Sequence, residues 1–142
     1  MTGVIKVNEL QGRSTVDNIT VTDGSATMQL QQGLAKAWLM YDNYNGINLA
    51  RASLNISSVT DDATGVWTNS FTNNMNDTYY CNSGTSDGGA TTQSVVCSAY
   101  NAYNTSLNYR SSSSNRCGIR NINDNALLDR SFNTMSYLGD LA

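Results

Sequence analysis

The chain has 142 residues, and its 8 Lys and Arg against 11 Asp and Glu exclude the basic face that nucleic-acid binding requires. Its sequence has no run of about 18 apolar residues, which a membrane-spanning helix needs. Charged residues make up only 13% of the chain, whereas Asn, Ser and Thr together supply 51 of the 142 residues. Because these side chains favour turns and strands over helix interiors, the composition predicts an all-β protein.

The first 33 residues differ from the rest. Residues 4–7 (VIKV) and 18–22 (NITVT) predict short extended segments, the second ended by the turn signal Asp23-Gly24. Residues 25–33 predict a helix of about two turns that stops at Gly33. Such a region buries little of itself, so residues 1–33 are expected to form an extended N-terminal arm for anchoring or oligomerisation. Its candidate anchoring residues are Val4, Ile5, Val7 and Leu10.

Strand patterns become regular from residue 34. Residues 35–41 predict a core strand, which a turn at 42–46 closes. The alternation of apolar residues then changes phase, which predicts a bulge or bend near residues 51–53. A hairpin is expected where residues 57–60 meet residues 66–71 across a loop at 61–65.

The remaining strands are expected at residues 79–81, 93–100, 117–122 and 133–138, with exposed polar loops at 83–89 and 101–115. Seven or eight short strands in residues 34–142 predict an antiparallel β-sandwich. The large aromatic residues of the strand patterns are expected in its core: Trp38, Tyr41, Trp67 and Phe71.

The sequence offers little for catalysis. It has no histidine, so serine and cysteine triads that depend on an imidazole base are excluded, and we expect no enzyme. The adjacent Asp61 and Asp62 are read as residues of a hairpin turn rather than as paired catalytic carboxylates. The Asp42–Gly46 segment lacks the spaced carboxylates of a calcium loop. No metal and no cofactor are therefore expected.

Cys81, Cys97 and Cys117 have no spacing typical of a zinc site. We expect reduced structural thiols, because the N-terminal sequence has no signal-peptide core and cytoplasmic thiols stay reduced. A Cys81–Cys97 bridge between neighbouring strands stays open as the alternative.

Several motifs, in order, resemble a module of tailed phages. They are residues 35–38 (AKAW), Asn45-Gly46, residues 51–61 (RASLNISSVTD), Trp67-Thr68 and Phe71-Thr72. Similar proteins often begin with a segment like residues 6–11 (KVNELQ) and end with one like residues 137–140 (YLGD). The resemblance covers nearly the whole chain and is densest between residues 34 and 80. It departs at Asn69, where the family has an apolar residue, and over residues 81–130.

The resemblance implies a structural protein of a phage virion, made in the host cytoplasm. We expect an oligomeric tail fibre or surface knob, a trimer as fibre proteins are, attached to other virion proteins through its N-terminal arm. Recognition of a host surface glycan is open as an added role. Two alternatives remain: a capsid-decorating or tail-adaptor protein without a host ligand, and a carbohydrate-binding module.

Tyrosine beside Asn, Ser and Arg is typical of recognition surfaces and of wet subunit interfaces. The candidate residues for such a surface are Tyr44, Tyr100, Tyr103, Tyr109 and Arg110. Partners are therefore expected to be other copies of the chain and other virion proteins, with no nucleic acid and no membrane insertion.

Overall fold

The computed structural model describes residues 19–23, 26–30, 33–87, 95–99, 110–121 and 126–142. The chain divides into two compact units, Met1–Leu34 and Ala35–Ala142. The division lies one residue from the boundary expected from the sequence. Val4, Ile5, Val7 and Leu10, the candidate anchoring residues, lie outside the described residues.

The first unit contains a β-hairpin. Its strands β1 (Thr20–Asp23) and β2 (Ala26–Gln29) pair in antiparallel register, from Thr20 opposite Gln29 to Asp23 opposite Ala26. The helix predicted over residues 25–33 is therefore wrong. The sequence of residues 26–30 alternates apolar and polar side chains, and pairing with β1 satisfies backbone groups that a lone two-turn helix would expose to water.

The second unit carries all the other described strands, which form one antiparallel sheet in the order β4-β3-β10-β7-β8-β9-β6-β5. The strands are β3 (Ala37–Asp42), β4 (Leu49–Leu54), β5 (Ile56–Ala63), β6 (Val66–Phe71), β7 (Cys81–Ser86), β8 (Val95–Ala99), β9 (Ser114–Asn121) and β10 (Asn133–Leu138). A single 3-10 turn at Tyr44–Gly46 follows β3. The predicted all-β class and strand number are confirmed.

This sheet folds over on itself. In a flat sheet β3 and β6, five places apart, would lie about 24 Å from each other. Instead, the ring centroids of Tyr41 on β3 and Trp67 on β6 are 5.3 Å apart, and those of Phe71 on β6 and Tyr137 on β10 are 5.2 Å apart. The two halves of the sheet thus face each other across an aromatic core, which is the predicted sandwich-like arrangement.

The two edge strands of the sheet, β4 and β5, are consecutive in the chain and are joined by Asn55 alone. Asn55 has a φ of 57°, a left-handed conformation that asparagine tolerates better than most residues. Its side-chain oxygen accepts a 2.7 Å hydrogen bond from the Asn73 backbone N–H. The chain therefore passes from one half of the fold to the other at this corner.

The predicted bulge is confirmed. Met40 pairs with Ala52 and Tyr41 pairs with Ala50, so Arg51 is the extra residue of β4. The predicted hairpin is also present, as β5 and β6, but its turn is only Thr64-Gly65. Asp61 and Asp62 therefore belong to β5 rather than to the turn.

The predicted polar loop at 83–89 is wrong in its first half. Residues Ser83 to Ser86 belong to β7, which pairs with β10 along its whole length, from Cys81 opposite Leu138 to Ser86 opposite Asn133. Ser and Gly have low strand propensity, so the sequence of this segment does not predict a strand. The segment forms a strand because it pairs with its neighbours in the sheet. Ser114 and Asn115 similarly belong to β9 rather than to the predicted loop at 101–115, of which residues 101–109 lie outside the described residues.

Candidate functional site

Of the five surface residues expected from the sequence, the structure describes two. Tyr44 is 45% exposed at the 3-10 turn after β3. Arg110 is partly buried. The other three, Tyr100, Tyr103 and Tyr109, lie outside the described residues, so the predicted recognition cluster stays a prediction.

Arg110 makes contacts within its own domain. Its guanidinium Nη2 donates a 2.7 Å hydrogen bond to Asn82 Oδ1, and Nη1 donates a 3.4 Å hydrogen bond to the Tyr80 carbonyl oxygen. The guanidinium carbon lies 5.8 Å from the centre of the Tyr80 ring. Arg110 thus ties the segment before β9 to the start of β7.

A first surface feature surrounds the buried carboxylate of Asp42 at the end of β3. Asp42 is 1% exposed and forms an ion pair with Arg51, whose Nε donates a 3.2 Å hydrogen bond to Asp42 Oδ2. The other carboxylate oxygen accepts a 3.1 Å hydrogen bond from the Tyr44 backbone N–H. The Arg51 guanidinium also lies over the Phe132 ring, at 5.8 Å from its centre.

Apolar side chains are exposed around this ion pair. The set consists of Tyr44, Ile47, Leu49 and Phe132, each 45% to 52% exposed. Leu49 is the register partner of Asp42, and the Ile47 N–H donates to the Tyr44 carbonyl oxygen. We call these four residues together with Asp42 and Arg51 the Asp42 patch. Every residue of the edge strand β4, which crosses the patch, is exposed.

A second surface feature lies on the outer face of β3, β10 and β7. Two rows of register partners cross these strands: Trp38, Ser136 and Ser83 form the first, and Met40, Thr134 and Thr85 form the second. We call these six residues the Trp38 platform. They line a shallow depression of about 420 Å³.

The hydroxyl groups of the platform form two equivalent pairs. Ser83 Oγ and Ser136 Oγ are 2.9 Å apart, and Thr85 Oγ1 and Thr134 Oγ1 are 2.8 Å apart. Ser136 also donates to the Ser83 carbonyl oxygen at 3.4 Å, and Thr134 donates to the Thr85 carbonyl oxygen at 3.3 Å. The strand register thus places a short ladder of hydroxyl groups beside an indole ring.

The expectation of a core position for Trp38 is wrong, while those for Tyr41, Trp67 and Phe71 are confirmed. Ala37, Leu39 and Tyr41 are buried, so the alternation of β3 turns Trp38 outward, where it is 39% exposed. The alternation of Ala37, Leu39 and Tyr41 was visible in the sequence, and it could have identified Trp38 as a surface residue.

A buried polar cluster lies between β6, β9 and β10, and sequence reasoning missed it. Asn69 and Asn115 are fully buried, and the side-chain amide of each donates hydrogen bonds to Tyr137 Oη, at 2.5 and 3.3 Å, and to Cys117 Sγ, at 3.4 and 3.1 Å. Burial raises the pKa of the Cys117 thiol to about 11, and it also raises that of the Tyr137 hydroxyl. All four residues of this cluster are buried in the core.

Cys81 and Cys117 differ in their surroundings. Cys81 is an exposed free thiol and Cys117 is a buried one. The register of β7 and β8 places Cys97 opposite Gly84, three residues from Cys81. That offset corresponds to about 10 Å along a strand, beyond the usual separation of bridged cysteines. The alternative of a Cys81–Cys97 bridge does not fit this register.

Asp61 and Asp62, the two adjacent carboxylates on β5, have different surroundings. Asp62 Oδ2 accepts a 2.6 Å hydrogen bond from Thr68 Oγ1 and lies 3.2 Å from Arg116 Nε. The pKa of the Asp61 carboxyl is raised by partial burial, then by the charges of Asp129 and Asp62. The described residues hold no group of three or more potential metal-ligating side chains.

None of the helical structure in the described ranges has the length and apolar character to cross a membrane. Comparison with protein-family models, with curated proteins and with solved structures found no match to this chain.

Proposed function

We propose that the protein is a structural component of a phage virion, an oligomeric fibre or knob whose β-domain self-associates through the Asp42 patch. The observation that supports this proposal best is the composition of the patch. Four large apolar side chains are about half exposed around an arginine whose charge is already paired.

Such a composition favours a protein partner. Aromatic residues and arginine are enriched at protein interfaces, and contiguous exposed apolar surface marks sites of association. The Arg51–Asp42 pair leaves little net charge at the patch, so an identical copy can approach without repulsion. The exposed edge strand β4 adds backbone donors and acceptors that a second copy can use.

The first unit of the chain is proposed as the attachment to the rest of the particle. Residues 1–33 carry the extended, mixed-polarity segments that lend themselves to adding a strand to a partner. The phage resemblance places the attachment segment first in the chain. It also supports three copies per assembly, whereas symmetry preference alone favours two.

The proposal is tested on the phage that carries the gene. Antibodies against residues 34–142, coupled to gold particles, are expected to label purified virions at the tail. Labelling spread over the capsid would support the capsid-decorating alternative, and the absence of labelling together with absence of the protein from purified particles would contradict a virion role.

Deletion of residues 1–33 tests whether this segment attaches the protein to the particle. The truncated protein is expected to keep a β-rich circular dichroism spectrum, because the strands of the sandwich lie within Ala35–Ala142. It is also expected to be missing from purified particles. Normal incorporation of the truncated protein would show that attachment lies elsewhere in the chain.

A further inference from the structure

We propose that the Trp38 platform binds a neutral glycan through stacking on the indole and hydrogen bonds to the Ser and Thr hydroxyl groups. This inference rests on the proposed function for its biological setting, a virion protein that meets a cell surface. The binding itself is a property of the domain and can be measured without a particle.

The indole supplies the apolar half of the site. Trp38 stands on the outer face of β3 with Leu54 and Ser136 as its register partners on either side. Leu54 is 48% exposed, so the indole lies at the boundary between an apolar and a hydroxyl-bearing surface. A flat, partly exposed aromatic ring offers a large contact area, and the C–H face of a pyranose ring is a matching flat apolar surface.

The Ser83–Ser136 and Thr85–Thr134 hydroxyl pairs determine which hydrogen-bonding groups a ligand needs. Each pair has two hydroxyl protons: one can lie between the two oxygens, and the other can point to the backbone carbonyl of Ser83 or Thr85. The groups left to face a ligand are then lone pairs on the hydroxyl oxygens. They accept hydrogen bonds, so the matching ligand is rich in O–H donors.

Charge and size restrict the ligand further. None of the described residues that line the depression is charged, so no counter-ion is present for a carboxylate, sulfate or phosphate group. Lone pairs directed outward also repel anions. A volume of about 420 Å³ falls within the range of small-ligand pockets and suits one or two sugar rings. Together these features favour an uncharged pyranose-containing glycan over an anionic or purely apolar ligand.

The test uses the full chain and a panel of trisaccharides of glucose, galactose and N-acetylglucosamine, with sialylated and sulfated trisaccharides and short alcohols for comparison. Trp38 provides the signal, because Trp67 is fully buried and its emission reports the core. We expect at least one neutral trisaccharide to shift the emission with a saturable dissociation constant, and calorimetry to give the same constant. The anionic sugars and the alcohols are expected to bind at least about tenfold more weakly.

Two variants locate the binding. Trp38→Ala is expected to weaken glycan binding by about tenfold or more in calorimetry, as is the near-isosteric double variant Thr85→Val/Thr134→Val, with thermal unfolding confirming that both fold. Tyr79→Ala, which removes a 90% exposed aromatic side chain outside the platform, is expected to leave binding unchanged.

Several results would overturn the inference: no neutral glycan binding at millimolar concentration, equal binding by Trp38→Ala, or equal binding of the short alcohols. A loss of self-association in Trp38→Ala would also overturn it, since a second copy would then cover the platform. Because the proposed self-association uses the Asp42 patch, a failure to bind glycan would not contradict the proposed role as an oligomeric virion component. Loss of self-association in a variant of the patch, with glycan binding retained, separates the two sites.

Discussion

Asn69 Nδ2 donates a 2.5 Å hydrogen bond to the Tyr137 hydroxyl oxygen in the middle of the folded sheet, where both residues are fully buried. Asn69 stands at a position where the resemblance to the phage module would lead one to expect an apolar residue. Tyr137 on β10 and Cys117 on β9 accept hydrogen bonds from the Asn69 side-chain nitrogen, whereas the buried Oδ1 of the same amide has no hydrogen-bond partner among the described residues. A buried amide with partners is tolerated, while one without them is costly.

Tyr137→Phe is therefore expected to lower the free energy of unfolding by about 1–3 kcal/mol, because the Asn69 and Asn115 amides lose a shared acceptor. Urea unfolding followed by circular dichroism measures this difference. Tyr79→Phe removes a hydroxyl from a 90% exposed ring outside both surface features and is the matched control, expected within about 0.5 kcal/mol of the native protein. Equal stability of the two variants would show that the buried hydrogen bonds contribute little.

Two glycines with left-handed backbones form a second matched pair. Gly65 has a φ of 65°, and a Cβ there would lie 2.5 Å from the Leu128 backbone nitrogen; Gly46 has a φ of 73°, with nothing within 4 Å of the Cβ position. Gly46→Ala is expected to cost only the backbone strain, about 1–2 kcal/mol. Gly65→Ala is expected to cost at least about 2 kcal/mol more, since the Leu128 backbone must move. Similar melting temperatures for the two variants would contradict this packing.

The two tryptophans are expected to respond differently to truncation. Trp67→Ala opens a cavity in the core beside Tyr41 and is expected to cost about 3–5 kcal/mol of stability or to prevent folding. Trp38→Ala, on the outer face, is expected to cost about 1 kcal/mol or less. Thermal unfolding of both variants measures the difference, and a large loss with Trp38→Ala would place that side chain in the core.

High pH is expected to destabilise the domain. The Cys117 thiol has its pKa raised from 9.0 to about 11, and burial likewise raises the pKa of Tyr80 to about 12. The unfolded chain therefore loses these protons at lower pH than the folded one. The free energy of unfolding should keep its full value below about pH 9 and decrease as the pH rises through 11. Cys117 alone should account for about 3 kcal/mol of this decrease.

Cys117→Ser isolates that contribution, because a serine hydroxyl does not titrate in this range while it keeps a hydrogen-bonding group at the site. Its stability is expected to fall less steeply between pH 9 and 11 than that of the native protein, and Cys81→Ser is the control for loss of an exposed thiol. An unchanged pH profile in Cys117→Ser would show that this thiol is not the group responsible.

The sequence predicts those parts of the fold where local patterns decide the structure. The bulge at Arg51, the β5–β6 hairpin and the bounds of β10 all follow from alternation and turn residues. It fails at β7, where Ser83–Ser86 have weak strand propensity and are held by β10. It fails also at β2, which needs β1 beside it.

Neither surface feature can be predicted from local sequence patterns, because each combines residues that are distant in the chain. The Trp38 platform exists only because register places Ser136 and Ser83 beside Trp38 from distant parts of the chain. The Asp42 patch similarly needs Phe132 beside Arg51. Of its members, only Tyr44 was identified from the sequence, through its position beside a polar turn.

Self-association through the Asp42 patch is the central claim, and light scattering of the purified full chain at tens of micromolar tests it most directly. The native protein is expected to give the mass of an oligomer, three chains by the phage resemblance. Leu49→Glu, which adds a charge at a 46% exposed position of the patch, is expected to give the mass of one chain, while the control Tyr79→Ala stays oligomeric. A monomeric native protein, or a Leu49→Glu variant of unchanged mass, would contradict the account.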